Sequence, residues 1–369
     1  MRGKEFWYER VGFKSAIDSC CGIDFHDYGT APNAKPGVRP KTTNAPMELF
    51  DVTREEMTLL AGLEPRLGRL HLRQRLGLER DYESHIFRRG THFFHIENWF
   101  SLHALIRGGL WLTGLHGKAR RNALAIDVRR NEVQLADLPQ EFEGFTLLHL
   151  SDLHVDMSER FVPALVERVR SLDYDLCVLT GDYRARTFGP FEATLSGLER
   201  LRAHLRGPIY AVLGNHDTIR MVPRMEAMGY RVLLNESVRI ERAGAAIHIA
   251  GIDDAHFYRV ENFHKAAHGI PQQEISILLS HTPETYRRAA HVDFRLMLCG
   301  HTHGGQICLP GGIPLFTDSD APRRMARGPW QYQQMVGYTS AGAGSCIVDA
   351  RLNCPAEVTL HRLRRTLTA

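Results

Sequence analysis

Residues 145–154 read FTLLHLSDLH: the apolar run Phe145–Leu150 has the character of a buried strand, and Asp152 and His154 follow it at once. The pattern recurs along the chain. Leu176–Thr180 leads into Gly181-Asp182, Ile209–Leu213 into Gly214-Asn215-His216-Asp217, Ile275–Ser280 into His281, and Phe294–Cys299 into Gly300-His301-Thr302-His303-Gly304-Gly305-Gln306. Short apolar runs of this length, closed by Gly and polar residues, read as buried strands. Between them Phe161, Leu165 and Val169, and then Leu198, Leu201 and Leu205, recur at helical spacing. The order is therefore alternating β/α with a largely parallel sheet. Ligands of such sheets bind beyond the carboxyl ends of the strands, where each of these polar clusters falls.

The five clusters supply seven candidate metal ligands, a mixed set of carboxylates, imidazoles and one carboxamide oxygen. That set suits manganese, iron or zinc rather than calcium or copper(I). Spacing accounts for Asp152-Leu153-His154, because alternation along a strand end turns residues 152 and 154 to the same side. Gly181, Gly214 and Gly300 stand where strands end in tight turns and backbone must approach whatever is bound. A single Asp-x-His or His-x-His pair carries little information. Five in order, each closing a strand, carry a great deal.

The rest of the chain sets limits. With 369 residues, one catalytic domain plus an appendage is the expectation, at residues 122–369 and 1–121. Hydrophobic residues at 43% and charged residues at 24% exclude a disordered, fibrous or multi-span membrane protein. The net charge of +4 lies wholly in the N-terminal part, since residues 141–369 carry 25 basic and 25 acidic residues. From Arg66 to Arg130, 13 basic residues face 5 acidic ones, which suits contact with an anionic surface. Seven cysteines without pair spacing fit a reducing cytosol rather than a disulfide framework, and no secretory signal is evident. Residues 29–47, GTAPNAKPGVRPKTTNAPM, read as a flexible arm, and Thr53-Arg54-Glu55-Glu56 has capping-box spacing for a short helix. The stretch WFSLHALIRGGLWLTGL, residues 99–115, is the most apolar part of the appendage. It reads either as a helix in a membrane interface or as a helix packed on the catalytic domain.

The ordered motifs D-x-H, G-D, G-N-H-D, H and G-H-x-H over residues 145–306 resemble the calcineurin-like metallophosphoesterase family. The resemblance implies a layered α/β fold, two packed mixed sheets flanked by helices, while the N-terminal appendage is expected from its own residues to be mainly helical. It further implies two divalent ions, the first held by Asp152, His154, Asp182 and His303, the second by Asp182, Asn215, His281 and His301. Asp182 would bridge them, and His216 would be the catalytic histidine. Two cations roughly 3.5–4 Å apart need such an anionic bridge, and a hydroxide between them would attack phosphorus in line. The implied reaction is hydrolysis of a phosphodiester or pyrophosphate. Protein phosphatases of the family carry GDxxDRG, but here the run is Gly181-Asp182-Tyr183-Arg184-Ala185-Arg186, so Ala185 replaces the Asp that supports the histidine. Arg184 and Arg186 are candidate phosphate-binding residues. GHTHGGQICLPGG and Asn353-Cys354-Pro355-Ala356-Glu357-Val358 more nearly resemble bacterial phosphodiesterases related to the UDP-2,3-diacylglucosamine hydrolases of lipid A synthesis. That narrower likeness implies a lipid-linked or sugar-nucleotide substrate and peripheral contact with the inner face of the membrane, and the cysteine usage fits a cytoplasmic location. A non-catalytic scaffold and a nuclease are the alternatives. Intact motifs weigh against the first, and the absence of net positive charge in residues 141–369 weighs against a nucleic-acid partner.

Overall fold

The computed structural model describes Thr58 and residues 60–89 and 100–366. The arm at 29–47 and the capping box at Thr53 lie outside the described residues. Fourteen strands are described. Those that position the site are β1 (Asp127–Leu135), β2 (Thr146–Leu150), β3 (Leu176–Leu179), β4 (Ile209–Ala211), β5 (Arg231–Val232), β6 (Glu236–Arg242), β7 (Ala245–Gly251), β8 (Ile275–Leu279) and β9 (Leu296–Cys299). The short pair β10 (Cys308–Leu309) and β11 (Ile313–Pro314) precedes β12 (Gly328–Tyr332), β13 (Met335–Thr339) and β14 (Glu357–Arg365).

The strands form two six-stranded sheets, ordered β1-β14-β2-β3-β4-β5 and β12-β13-β9-β8-β7-β6. Within these two sheets most pairs are parallel, and the antiparallel ones are β14 with β2, β12 with β13, and β6 with β7. Each strand run read from the sequence is present. Its Asp, His or Asn lies just past the last paired residue.

Alternation along the strands sorts the apolar residues into layers. Leu147, Val178, Ile249, Ile277 and Leu298 fill the space between the two sheets. Their neighbours Leu148, Leu150 and Leu179 face the other way, onto Phe161–Val169 and Glu192–Arg202, the two helices read from the sequence. Leu278, Met297 and Cys299 point out of the second sheet toward Tyr286 and Trp330. The interior also holds polar atoms. His149 and His361 are fully buried, 3.2 Å apart, and His149 bonds the Thr180 hydroxyl at 2.9 Å. Burial pushes His149 down to about 3, and His361 also falls well below the usual histidine value, so both remain neutral.

N-terminal to β1 the described residues are helical. Helix α1 is Arg69–Arg89, α2 Phe100–Leu112 and α3 His116–Leu124. Leu60, Leu63, Leu67, Leu72 and Leu76 share the cluster of the first sheet's outer face. On α2, Leu110 is buried against Val348 and Ala350, while Leu105, Trp111 and Leu112 are exposed at 72%, 73% and 82%. This helix therefore packs on the strand-bearing part and also presents apolar side chains outward. No helix among the described residues is long and apolar enough to cross a membrane.

Candidate metal centre

The loops after β2, β3, β4, β8 and β9 converge at the carboxyl ends of both sheets. Within them Asp152, His154, Asp182, His301 and His303 have φ between 41° and 72°, the left-handed region that non-glycine residues enter at a cost of about 1–3 kcal/mol each. Such strain persists only where the surroundings over-determine it, and here each loop is tied to another. Asp152 N–H donates to Gly181 O and His154 N–H to Asp182 O, both at 3.0 Å. The His301 N–H donates to Asp152 Oδ1 at 2.9 Å, and the His216 N–H to Asp182 Oδ1 at 3.0 Å. Asp217 staples two loops, its carboxylate accepting from the N–H groups of Asp182 (2.8 Å), Tyr183 (2.9 Å) and Gly214 (2.9 Å). Two glycines are required by close approach: a Cβ on Gly214 would strike the Asp182 carboxylate, and one on Gly300 the Asp152 carboxylate.

All seven expected ligands and His216 come together, each at most 6% exposed. His154 Nε2 lies 3.1 Å from His303 Nε2 and 3.9 Å from Asp182 Oδ2, and His303 Nε2 lies 3.6 Å from Asp152 Oδ1. On the other side His281 Nε2 is 3.3 Å from Asp182 Oδ2, 2.9 Å from Asn215 Oδ1 and 3.2 Å from His301 Nδ1. Asp182 faces both groups. His216 Nε2 is 3.9 Å from Asp182 Oδ2, with its ring edge-on to His154 at 5.1 Å.

Two features test whether this set suits cations. The outward ring nitrogens of His154, His281 and His301 meet the backbone carbonyls of Arg184, Thr180 and Asp318. That leaves the inward nitrogen of each turned toward the centre, the arrangement metal-ligating histidines adopt. Asp152 Oδ2, moreover, is buried with no hydrogen-bond partner, which a buried carboxylate oxygen tolerates poorly unless a cation faces it. Asp182, His281 and His301 form one group able to hold an ion, and Asp152, His154 and Asp182 another.

Electrostatics agree. Burial alone would raise Asp182, but the charge of His281 and its hydrogen bond outweigh it and hold the carboxyl well below its usual range. Burial opposes a charge on His281, yet the Asp182 carboxylate and its hydrogen bond raise this histidine to about 10. Burial raises Asp152, and burial followed by the like charge of neighbouring histidines drives His301 and His303 far down.

Arg184 and Arg186 are placed differently. Arg184 is buried with its guanidinium on Gly189 O at 3.0 Å, Arg186 is exposed, and neither lines the cavity over the centre. Sequence reasoning missed Asp217 as a staple and Arg351, fully buried and donating to Ala341 O (2.7 Å) and toward His303 Nδ1 (3.3 Å). It also missed His256, whose ring lies 4.2 Å from that of His301 while Glu284 holds it at 3.1 Å. The G-N-H-D motif could have pointed to Asp217. Nothing in the sequence marks the other two.

The centre opens into a cavity of about 640 Å³. His216, His301 and His303 form its floor, and Leu110, Ile307, Leu315, Phe316, Ile347 and Val348 supply an apolar wall.

Residues 145–305 match the calcineurin-like phosphoesterase family. The chain is 30% identical over 256 residues to the uncharacterized metallophosphoesterase YkoQ of Bacillus subtilis (strain 168), covering 67% of this chain and 93% of that one. It is 28% identical over 276 residues to YkuE, an uncharacterized metallophosphoesterase of the same organism, covering 71% and 94%. To the phosphodiesterase YaeI of Escherichia coli (strain K12) it is 29% identical over 249 residues, covering 62% and 86%.

Proposed function

The chain belongs to the calcineurin-like phosphoesterase family, and we propose that this metal-dependent phosphoesterase uses two divalent ions to hydrolyse a phosphodiester or pyrophosphate bond in an amphiphilic substrate. Asp152, His154, Asp182 and His303 would hold one ion, and Asp182, Asn215, His281 and His301 the other. Manganese, iron and zinc all suit these donors. The ions, when bound, supply an activated water nucleophile and neutralise charge developing on the phosphoryl oxygens. The protein's part is positional. Asp182 faces both groups of ligands, and its backbone and that of Gly214 are locked to Asp217. Burial pushes His216 down to about 3, with Asp182 acting in the opposite sense, so the ring is neutral before substrate enters. A phosphoester anion beside Nε2 favours the imidazolium, which takes its added proton from solvent, and that proton passes to the leaving oxygen.

The observation that carries the reading is the set of inward-turned histidine nitrogens around Asp182. The substrate class is supported by the apolar wall, and peripheral membrane contact by the exposed Leu105, Trp111 and Leu112 on the helix whose other side lines the cavity. Assay against a panel of acylated phosphodiesters, sugar-nucleotide pyrophosphates, short diesters and monoesters tests it. Acyl-bearing diesters or pyrophosphates are expected to have the highest kcat/KM, and a preference for short monoesters would contradict the reading. On anionic vesicles at low salt the protein is expected to bind. Trp111→Ser together with Leu112→Ser should weaken binding at least about tenfold, since each buried side chain contributes about 1.5–3 kcal/mol. Failure of the unaltered protein to bind such vesicles would remove the membrane part.

A further inference from the structure

Beyond the seven motif ligands, one more donor reaches the same centre. Cys346 is half-buried and lines the cavity, with Sγ 3.9 Å from His216 Nε2. Its sulfur and one ring nitrogen each of His154 and His303 all lie within 4.8 Å of one another. The placement is fixed from both sides. The Gln306 carboxamide accepts from Cys346 N–H at 2.8 Å and donates to Cys346 O at 2.8 Å and Val348 O at 3.1 Å. The next residue, Ile347, has φ of 65°, a conformation that β-branched residues rarely adopt. It is held there by packing with Leu110 and Val348. A strained loop thus delivers a thiol to two histidines that the proposed ligand set assigns to one ion, and backbone strain of this kind gathers at functional positions.

We propose that Cys346 is a further donor to the ion held by His154 and His303, and that it biases this position toward thiophilic ions. On binding, the thiol loses its proton to solvent and the sulfur lone pair is shared with the cation. Thiolate beside two imidazoles favours zinc, cobalt(II) or cadmium over manganese, whereas no sulfur among the described residues joins the group of Asp182, His281 and His301. The two positions would then differ in metal preference within one centre. The other described cysteines, Cys177, Cys299, Cys308 and Cys354, are buried and belong to none of the groups able to hold an ion.

This inference rests on the ligand assignment above, and the test separates the two. The full chain is loaded with cobalt(II) under reducing conditions, as wild type, Cys346→Ser and His303→Ala, and metal content, near-ultraviolet absorption and competitive affinities for zinc and manganese are measured. The wild type should show a thiolate-to-cobalt charge-transfer band that Cys346→Ser lacks while still holding both ions. Loss of outer partners alone costs about 10–100-fold in metal affinity, so Cys346→Ser should lower zinc affinity at least about tenfold and manganese affinity far less. A loaded wild type without the band overturns the proposal whatever the variants do, as does a band retained in Cys346→Ser. If His303→Ala loses no metal, the ligand assignment itself has failed.

Discussion

Two regions hold the Gly214–Thr218 loop in place, and they differ in kind. From the catalytic side Asp217, part of the motif, accepts N–H bonds from Gly214, Asp182 and Tyr183. From behind, α1 reaches in across the sequence. Arg75 Nη2 donates to Asp217 O at 2.9 Å, and the Glu79 carboxylate accepts from Ile219 N–H at 2.8 Å and from the Thr218 hydroxyl. Arg75 is fully buried, 3.3 Å from Glu79 and 3.7 Å from Asp253, with its guanidinium 3.4 Å over the Tyr258 ring. The motif side orients donors for chemistry. The helix side fixes the position of the loop through a buried charge cluster. Substitutions on the first should therefore abolish turnover in a folded protein, and those on the second should act through stability.

His216→Ala breaks the comparison most sharply. It should lower kcat about 10²–10⁴-fold, the usual contribution of a positioned acid-base group, with metal content and melting temperature nearly unchanged. Near-normal turnover by metal-loaded His216→Ala would contradict its role. On the helix side, Arg75→Met strands Glu79 and Asp253 without their buried partner, so urea unfolding should show a loss of about 3–5 kcal/mol. Activity per folded molecule should fall much less than in His216→Ala. Equal losses of turnover would mean that both sides of the loop act on the chemistry.

The smallest effect comes from the layer between the sheets. Because folded His149 stays neutral down to about 3 while an unfolded histidine protonates below about 6.5, the unfolded state binds the extra proton in that window. Stability is thus lost as pH falls from about 6.5 toward 3, at up to about 1.4 kcal/mol per pH unit for each such histidine, and is unaffected above it. His149→Gln should reduce that slope by one histidine's share in urea midpoints taken between pH 7 and 5. An unchanged slope would mean that His149 does not stay neutral in the fold.

What the sequence disclosed follows from the same contrast. The strands and helices were legible because Leu147–Leu150, Ile275–Leu279 and the Phe161, Leu165 and Val169 face of their helix are buried, and burial imposes periodicity. Asp152, His154, Asp182, Asn215, His281, His301 and His303 were legible because a site of this chemistry needs particular donors just past particular strands. Arg75 and Glu79 were not, since an Arg-Glu pair at i,i+4 on a helix is spelled as any surface pair would be. Cys346 escaped for another reason. Its approach to His154 and His303 depends on the Gln306 carboxamide and on the backbone turn at Ile347, neither of which leaves a periodic or spaced signal. Arg184 and Arg186 looked suited to phosphate by type alone. Only the fold turns Arg184 toward Gly189.

On the proposed reading, Asp182 joins two cation positions at the carboxyl ends of the sheets. Elemental analysis of the purified wild type and of Asp182→Ala, each assayed on an aryl phosphodiester, tests it most directly. Two divalent ions per chain are expected in the active wild type. Asp182→Ala should lose both or hold them poorly, with turnover at the uncatalysed background, because no other carboxylate among the described residues belongs to both groups. An active wild-type preparation carrying only trace metal, or Asp182→Ala retaining two ions and full turnover, would contradict the account.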